Sequence, residues 1–172
     1  MNRILNRTSC RSYLDKPIEQ EKIEQLKAII NHSPTAMNRQ DFSCIFVTDK
    51  NKIANLSGYA GGQKHILEAP LFLVFYADQN RKNSASIWSR PDAIIACTMV
   101  MDAAELLGLS SCMIGHFLQH EKEVNELLNV KGDAQLALGL IVGYGKTKTP
   151  QKMKSNRCYE ENYDINLVKA DK

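Results

Sequence analysis

The stretch PDAIIACTMVMDAAELLGL, residues 91–109, decides the fold class. Pro91 suits the first turn of a helix, and Asp92 complements the positive end of its dipole. From Ala93 to Leu107 the chain is apolar almost all round, through Ile94, Ile95, Ala96, Met99, Val100, Ala103, Ala104, Leu106 and Leu107. Gly108 is a natural stop. A helix with so little polar face belongs in the middle of a protein or in a subunit interface. The other elements must be arranged around it.

Upstream, Leu71–Ala77 (LFLVFYA) is a near-continuous apolar run and predicts a strand buried on both faces. Phe42–Thr48, rich in aromatic and β-branched residues, predicts a second strand. Asp49 opens a short helix expected to reach Leu56, with Gly58, Gly61 and Gly62 breaking it. Near the start, Ile18, Ile23, Leu26, Ile29 and Ile30 share one helical face after Pro17. That helix should end near Asn31, ahead of Ser33-Pro34. Downstream, Ser111–Ile114 predicts a short strand and Glu121–Leu128 an amphipathic helix. Leu136–Val142 predicts another buried strand, ended by Gly143-Tyr144-Gly145. Helices alternating with strands in this order predict a mixed α/β or α+β sheet covered by helices.

The chain has 172 residues, the size of one domain, and residues 1–172 read as one. Its polar, basic end, residues 146–172, contains Tyr159, Tyr163, Ile165, Leu167 and Val168 and is expected to dock, on a second subunit. Net charge is 22 − 19 = +3, too mild to argue for nucleic acid and compatible with an anionic ligand. The five cysteines are widely spaced with no CxxC pair, which disfavours a disulfide framework or zinc ribbon and favours a reducing compartment. No run of about 20 apolar residues predicts a membrane span. Met1–Leu14 lacks the apolar core of a secretory signal, so the expected location is the cytoplasm.

Five stretches could carry chemistry. In Arg7-Thr8-Ser9-Cys10-Arg11, an extended backbone would point Arg7, Ser9 and Arg11 the same way, offering forked donors and a hydroxyl to a phosphate or a ring edge. Ser33-Pro34-Thr35-Ala36-Met37-Asn38-Arg39-Gln40 is a loop with free amides and short polar side chains. In Gly61-Gly62-Gln63, the glutamine amide can pair with a donor–acceptor edge. Ile114-Gly115 would let a ligand approach backbone closely. Lys146, Lys148, Lys152, Lys154 and Arg157 could neutralise a phosphate. Taken singly, each reads more simply as surface or turn chemistry. Neither a P-loop nor GxGxxG is present. His116 and His120 stand four apart without an evident third ligand, so no metal site is expected. No nucleophile with a placed base stands out, so no side chain is assigned as the reacting group.

The order and spacing of the five stretches resemble those of the nitroreductase family of flavoproteins, in its flavin-reductase-like branch. Arg7-x-Ser9-x-Arg11 is similar to the opening motif and Ser33–Gln40 to the second. Gly61-Gly62-Gln63 with Glu68-Ala69-Pro70 is similar to the third. The helix ending Ala103–Leu109 followed by Ile114-Gly115 resembles the central helix and the turn at the flavin. Gly143-Tyr144 followed by Lys152-x-Lys154 resembles the closing basic motif. The resemblance implies an α+β fold, a central mainly antiparallel β-sheet flanked by helices, and an intertwined homodimer with FMN at the interface. It implies that Arg7, Ser9 and Arg11 hold the phosphate and pyrimidine edge, with Thr8 between them. Pro34, Thr35 and Asn38 would reach the flavin of the partner chain, and Gln63 would pair with the ring edge. Ile114 and Gly115 would lie by the ring, with Arg11 and Gly115 tuning it. Lys152 and Lys154, or Arg157, would close on the phosphate.

The implied activity is an FMN-dependent transfer of hydride from NADH or NADPH to a nitroaromatic, quinone or flavin acceptor. A specialised flavoenzyme of the same fold, doing dehydrogenation or flavin breakdown, is an alternative. A basic nucleic-acid-binding module is another, disfavoured because no recognition helix or stacking platform is visible.

Overall fold

Strand β2 (Leu71–Asp78) is the axis of the computed structural model, which describes residues 2–81, 86–146 and 158–162. Around it lie β1 (Phe42–Val47), β4 (Ala134–Gly143) and β3 (Ser110–Ile114), in the order β1-β2-β4-β3. All three pairings are antiparallel. The α+β class and the mainly antiparallel sheet expected from the sequence are both found.

Alternation along β2 separates two cores. Phe72, Val74 and Tyr76 pack with helices α3 (Lys50–Tyr59), α4 (Lys64–Glu68) and α6 (Glu121–Leu128) on one face. Leu71, Leu73 and Phe75 pack with α2 (Gln20–Asn31) and α5 (Ser89–Leu106) on the other. Two-sided cover explains why β2 reads as an unbroken apolar run although its neighbours are antiparallel. A bulge between Phe75 and Tyr76 shifts the register with β4. It sends Leu136 to the first core and Ala137 to the second, since one residue of slip reverses facing.

Two details differ from the sequence reading. Helix α3 runs through Gly58 to Tyr59 rather than stopping near Leu56. The break comes at Gly61 and Gly62, whose φ values of 80° and 69° no helix accommodates. Helix α4, too short for a periodic signal, was not foreseen. Helix α5 buries Ala93, Ala96, Cys97, Val100 and Ala104 but leaves Ile94, Ile95 and Leu106 exposed. A short helix, α1 (Asn2–Leu5), lies at the start, where the Arg3 guanidinium donates to the Leu106 carbonyl. Among the described residues no helix is long and apolar enough to cross a membrane.

Candidate functional site

The segment Arg7–Leu14 is held along the edge of the sheet. The Cys10 amide donates to the Ser111 carbonyl at 2.9 Å, and the Leu14 amide to Tyr144 at 2.8 Å. Tyr13 forms a bridge with Gly145, and the Lys146 amide donates back to Ser12 at 2.9 Å. The Tyr13 hydroxyl, buried, donates to the Cys10 carbonyl at 3.0 Å and pins the bend from inside. Gly145 is required here because a Cβ would stand 2.8 Å from Ser110 Oγ and 2.9 Å from Cys10 Sγ.

This placement brings Arg7, Ser9 and Arg11 to Cys112 on β3. Burial raises the Cys112 thiol, while Arg11, contact with the Ser9 hydroxyl, and Arg7 pull it back. Arg11 also faces His65 on α4. Burial lowers the His65 imidazole, and the Arg11 charge lowers it further. Among the described residues, neither Arg7 nor Arg11 has a carboxylate partner. The nearby carboxylate, Glu68, is engaged elsewhere, accepting from the Tyr13 amide at 2.8 Å and from Lys146 Nζ at 3.5 Å. His65 Nε2 and Ser111 Oγ are buried and have no hydrogen-bond partner among the described residues. Two guanidinium groups without a carboxylate partner near Cys112 and His65 make a cationic cluster suited to an anion. Thr8, next to Arg7 in the chain, is buried.

The Gly-rich loop after α3 completes the pocket wall. His116, in the turn after Ile114-Gly115, lies against Gly61, whose added Cβ would meet its Cδ2 at 3.4 Å. The loops carrying Gln63 and Gly115 therefore adjoin. A Cβ at Gly62 or Gly115 would meet nothing within 4 Å, so both backbones border open space. Gln63 Nε2 donates to the Ala60 carbonyl at 2.8 Å within its own loop. His120, the other histidine of that turn, stacks on Tyr59 with ring centroids 5.7 Å apart and pairs with Glu123.

Loop Ser33–Gln40 lies elsewhere. It leads into β1, at the opposite edge of the sheet from β3, where the Asp78 amide donates to the Asp41 carbonyl at 2.9 Å. Pro34, Thr35 and Asn38 therefore do not share a pocket with Arg7 and Arg11 of the same chain. Lys152, Lys154 and Arg157 lie outside the described residues.

His65 was not singled out in the sequence, and Glu68 and Lys146 were, but not for the part that the structure gives them. Glu68 and Lys146 fix the arginine segment, and His65 borders the pocket. Their roles depend on contacts between distant parts of the chain, which no local pattern encodes. The one available signal was Glu68 beside Pro70, since Pro70 backs the same strand end at Gly143.

A sequence profile described as the Nitroreductase family matches residues 4–84 and 59–144. The FMN reductase [NAD(P)H] of Bacillus subtilis is 32% identical over an alignment of 161 positions that covers 84% of this chain and 65% of that protein. The chain thus spans just under two thirds of that relative's length. The structure of NfrA2 from B. megaterium superposes with a TM-score of 0.91 at 28% identity, covering 98% of this chain and 76% of that one. An FMN-dependent nitroreductase from Clostridium difficile gives a TM-score of 0.81 at 25% identity, covering 94% and 98%.

Proposed function

The chain belongs to the Nitroreductase family, and from that premise we propose that it is an FMN-dependent oxidoreductase using NADH or NADPH to reduce a nitroaromatic, quinone or flavin. The observation that carries the reading is the pair of guanidinium groups, Arg7 and Arg11, converging without carboxylate partners beside Ser9 and two open glycine backbones. That donor set fits FMN: Arg7, Ser9 and Arg11 offer cations and a hydroxyl to the phosphate and the pyrimidine edge between them, and the space bordering Gly62 and Gly115 suits a flat ring.

In this reading Arg7, Ser9 and Arg11 bind and orient the cofactor. When bound, FMN supplies the two-electron chemistry that no side chain here possesses. Arg11 stabilises negative charge on the pyrimidine side of the ring. Gly115 presents backbone N–H to the ring with no side chain in the way. The buried Tyr13 and its ties to Cys10 and Gly145 keep the arginine segment rigid, which lowers the ordering cost of binding. Lys152 and Lys154, or Arg157, close over the phosphate.

The working unit is a homodimer in which Pro34, Thr35 and Asn38 of the partner subunit complete each site. Two observations support this. The loop is remote from Arg7 and Arg11 within one chain, and the apolar Ile94, Ile95 and Leu106 side chains stand exposed on the central helix. Exposed aliphatic side chains on the longest helix fit a subunit contact there. Residues 1–172 act as one domain, with 146–172 packing on the partner. The thiols of Cys10, Cys44, Cys97 and Cys112, none of them in a disulfide, support a reducing, cytoplasmic location.

The test is reconstitution followed by kinetics. Purified protein incubated with FMN and desalted should retain about one flavin per chain and show flavin absorbance bleached by NADH or NADPH. Because donor and acceptor would use one face in turn, double-reciprocal plots should be parallel. A colourless protein after incubation would overturn the cofactor reading, and intersecting lines would overturn the shared site.

A further inference from the structure

The loop that separates α2 from β1 is held in an unusual backbone conformation. Met37, Asn38 and Gln40 have φ values of 52°, 51° and 59°, left-handed geometry that is routine for glycine and uncommon for methionine or glutamine. Such residues persist only where the surroundings over-determine them. Some of the restraint is internal. Thr35 Oγ1 accepts the Gln40 amide at 3.1 Å, and Asn38 Oδ1 accepts Gln40 Nε2 at 2.8 Å. Those bonds shape the loop without fixing it to the body of the protein.

The tie to the body comes from α5. Asp92, in that helix's first turn and only 3% exposed, accepts the Ala36 amide with Oδ1 at 3.1 Å and Oδ2 at 3.2 Å. Among the described residues no cation pairs with it. A buried carboxylate is normally matched by a cation. Here the positive end of the helix and one loop amide take that part. Ala36 sits between Thr35, whose backbone is extended, and the first left-handed residue, Met37. This hydrogen bond to α5 therefore falls at the point where the loop reverses.

We propose that Asp92 is a positioning residue for the flavin site, acting through the Ala36 amide to hold the Pro34–Asn38 loop in its left-handed form so that Thr35 and Asn38 are presented ready to bind. This rests on the FMN reading above. It assigns a role to a carboxylate that touches neither cofactor nor substrate. Asp92 thereby links the helix that carries the exposed apolar stripe to the loop that completes the site. Seating of that helix and shaping of the loop become one event.

Two measurements on the full chain test it. The first follows trypsin cleavage after Arg39 in the FMN-free protein by mass spectrometry. The second is an FMN titration by flavin fluorescence. Asp92→Ala should speed cleavage after Arg39 and weaken FMN binding about tenfold, the loss expected of one charge-assisted hydrogen bond. Asp92→Asn, which keeps a carbonyl oxygen for the Ala36 amide, should restore most of both. Wild-type affinity in Asp92→Ala would overturn the proposal, as would an Asp92→Asn no better than Asp92→Ala. Faster cleavage with unchanged affinity would also overturn it, by showing a held loop with no part in binding. If Asp92→Ala does not fold, Ala36→Pro decides, because it removes the donor and leaves Asp92 in place. Weakened binding there supports the proposal, and wild-type binding overturns it. A wild-type chain that binds no FMN would fail the underlying reading and the proposal with it, while the cleavage arm still reports on the tie itself.

Discussion

Glu68 Oε2 accepts the backbone N–H of Tyr13 at 2.8 Å, across 55 residues of sequence. The same oxygen accepts from Ser12 Oγ at 3.4 Å and from Lys146 Nζ at 3.5 Å. One carboxylate at the end of α4 therefore ties together the arginine segment and the chain leaving β4.

The Tyr13 amide is the first reason that the Glu68 carboxyl titrates below its ordinary value of 4.5, with Lys146 and Ser12 adding to it. A depressed folded-state pKa contributes stability that is complete above the unfolded value and lost as pH falls through the folded one. Thermal unfolding of wild type and Glu68→Gln should therefore differ at neutral pH and converge in acid well below 4.5. A difference that persists unchanged into strong acid would mean that the Glu68 charge is not what holds the segment.

Arg11→Ala removes one of the two unpaired guanidinium groups from the pocket. Charge-assisted hydrogen bonds are worth roughly 1.5–3 kcal/mol, so FMN affinity should fall roughly 10- to 150-fold. The same substitution removes a charge that, second to burial, holds His65 low. The His65 imidazole should titrate higher in the variant, readable by NMR without any cofactor present. Unchanged His65 titration would place Arg11 away from the pocket.

Gly139→Ala should destabilise the fold without touching the site. The new Cβ would stand 2.7 Å from Phe72 Cε2 and 2.9 Å from Phe117 Cε1, both rings being fully buried. Overpacking of this kind costs about 1–3 kcal/mol. At this chain length that corresponds to a fall in Tm of roughly 3–10 °C, measurable by calorimetry. Retained FMN affinity at low temperature would separate this effect from damage to the pocket.

Ile95→Glu places a charge on the exposed apolar side of α5, where Ile95 is 41% exposed. If that side is the subunit contact, the variant should sediment as a single chain where the wild type sediments as two. Flavin should be lost with the dimer, because each site needs both chains. A dimeric variant would locate the contact elsewhere.

Much of the fold was legible because burial leaves periodic marks. The runs at β1, β2 and β4 and the helices α2, α5 and α6 carry apolar residues at the spacing their geometry demands. The bulge at Phe75/Tyr76 was not legible, because a register shift depends on the partner strand and not on the residues that bulge. Nor was α4, whose five residues are too few for a periodic signal. Helix α3 outlasted Gly58 because Leu56 and Ser57 are buried beside it and tertiary packing outweighs the modest cost of one glycine.

The sequence by itself determined the longer elements, their apolar faces and the ordered set of motifs that mark the family. Those are local properties, written in side-chain type and spacing. Only the tertiary structure decided which motifs meet. It put Arg7, Ser9 and Arg11 beside Cys112 and His65, and it left Pro34, Thr35 and Asn38 at the far edge of the sheet. It also gave Asp92 and Glu68 their work, since each acts on an amide 55 or 56 residues away. Contacts at that range follow from how strands pair and helices pack, and no window of sequence contains both ends of them.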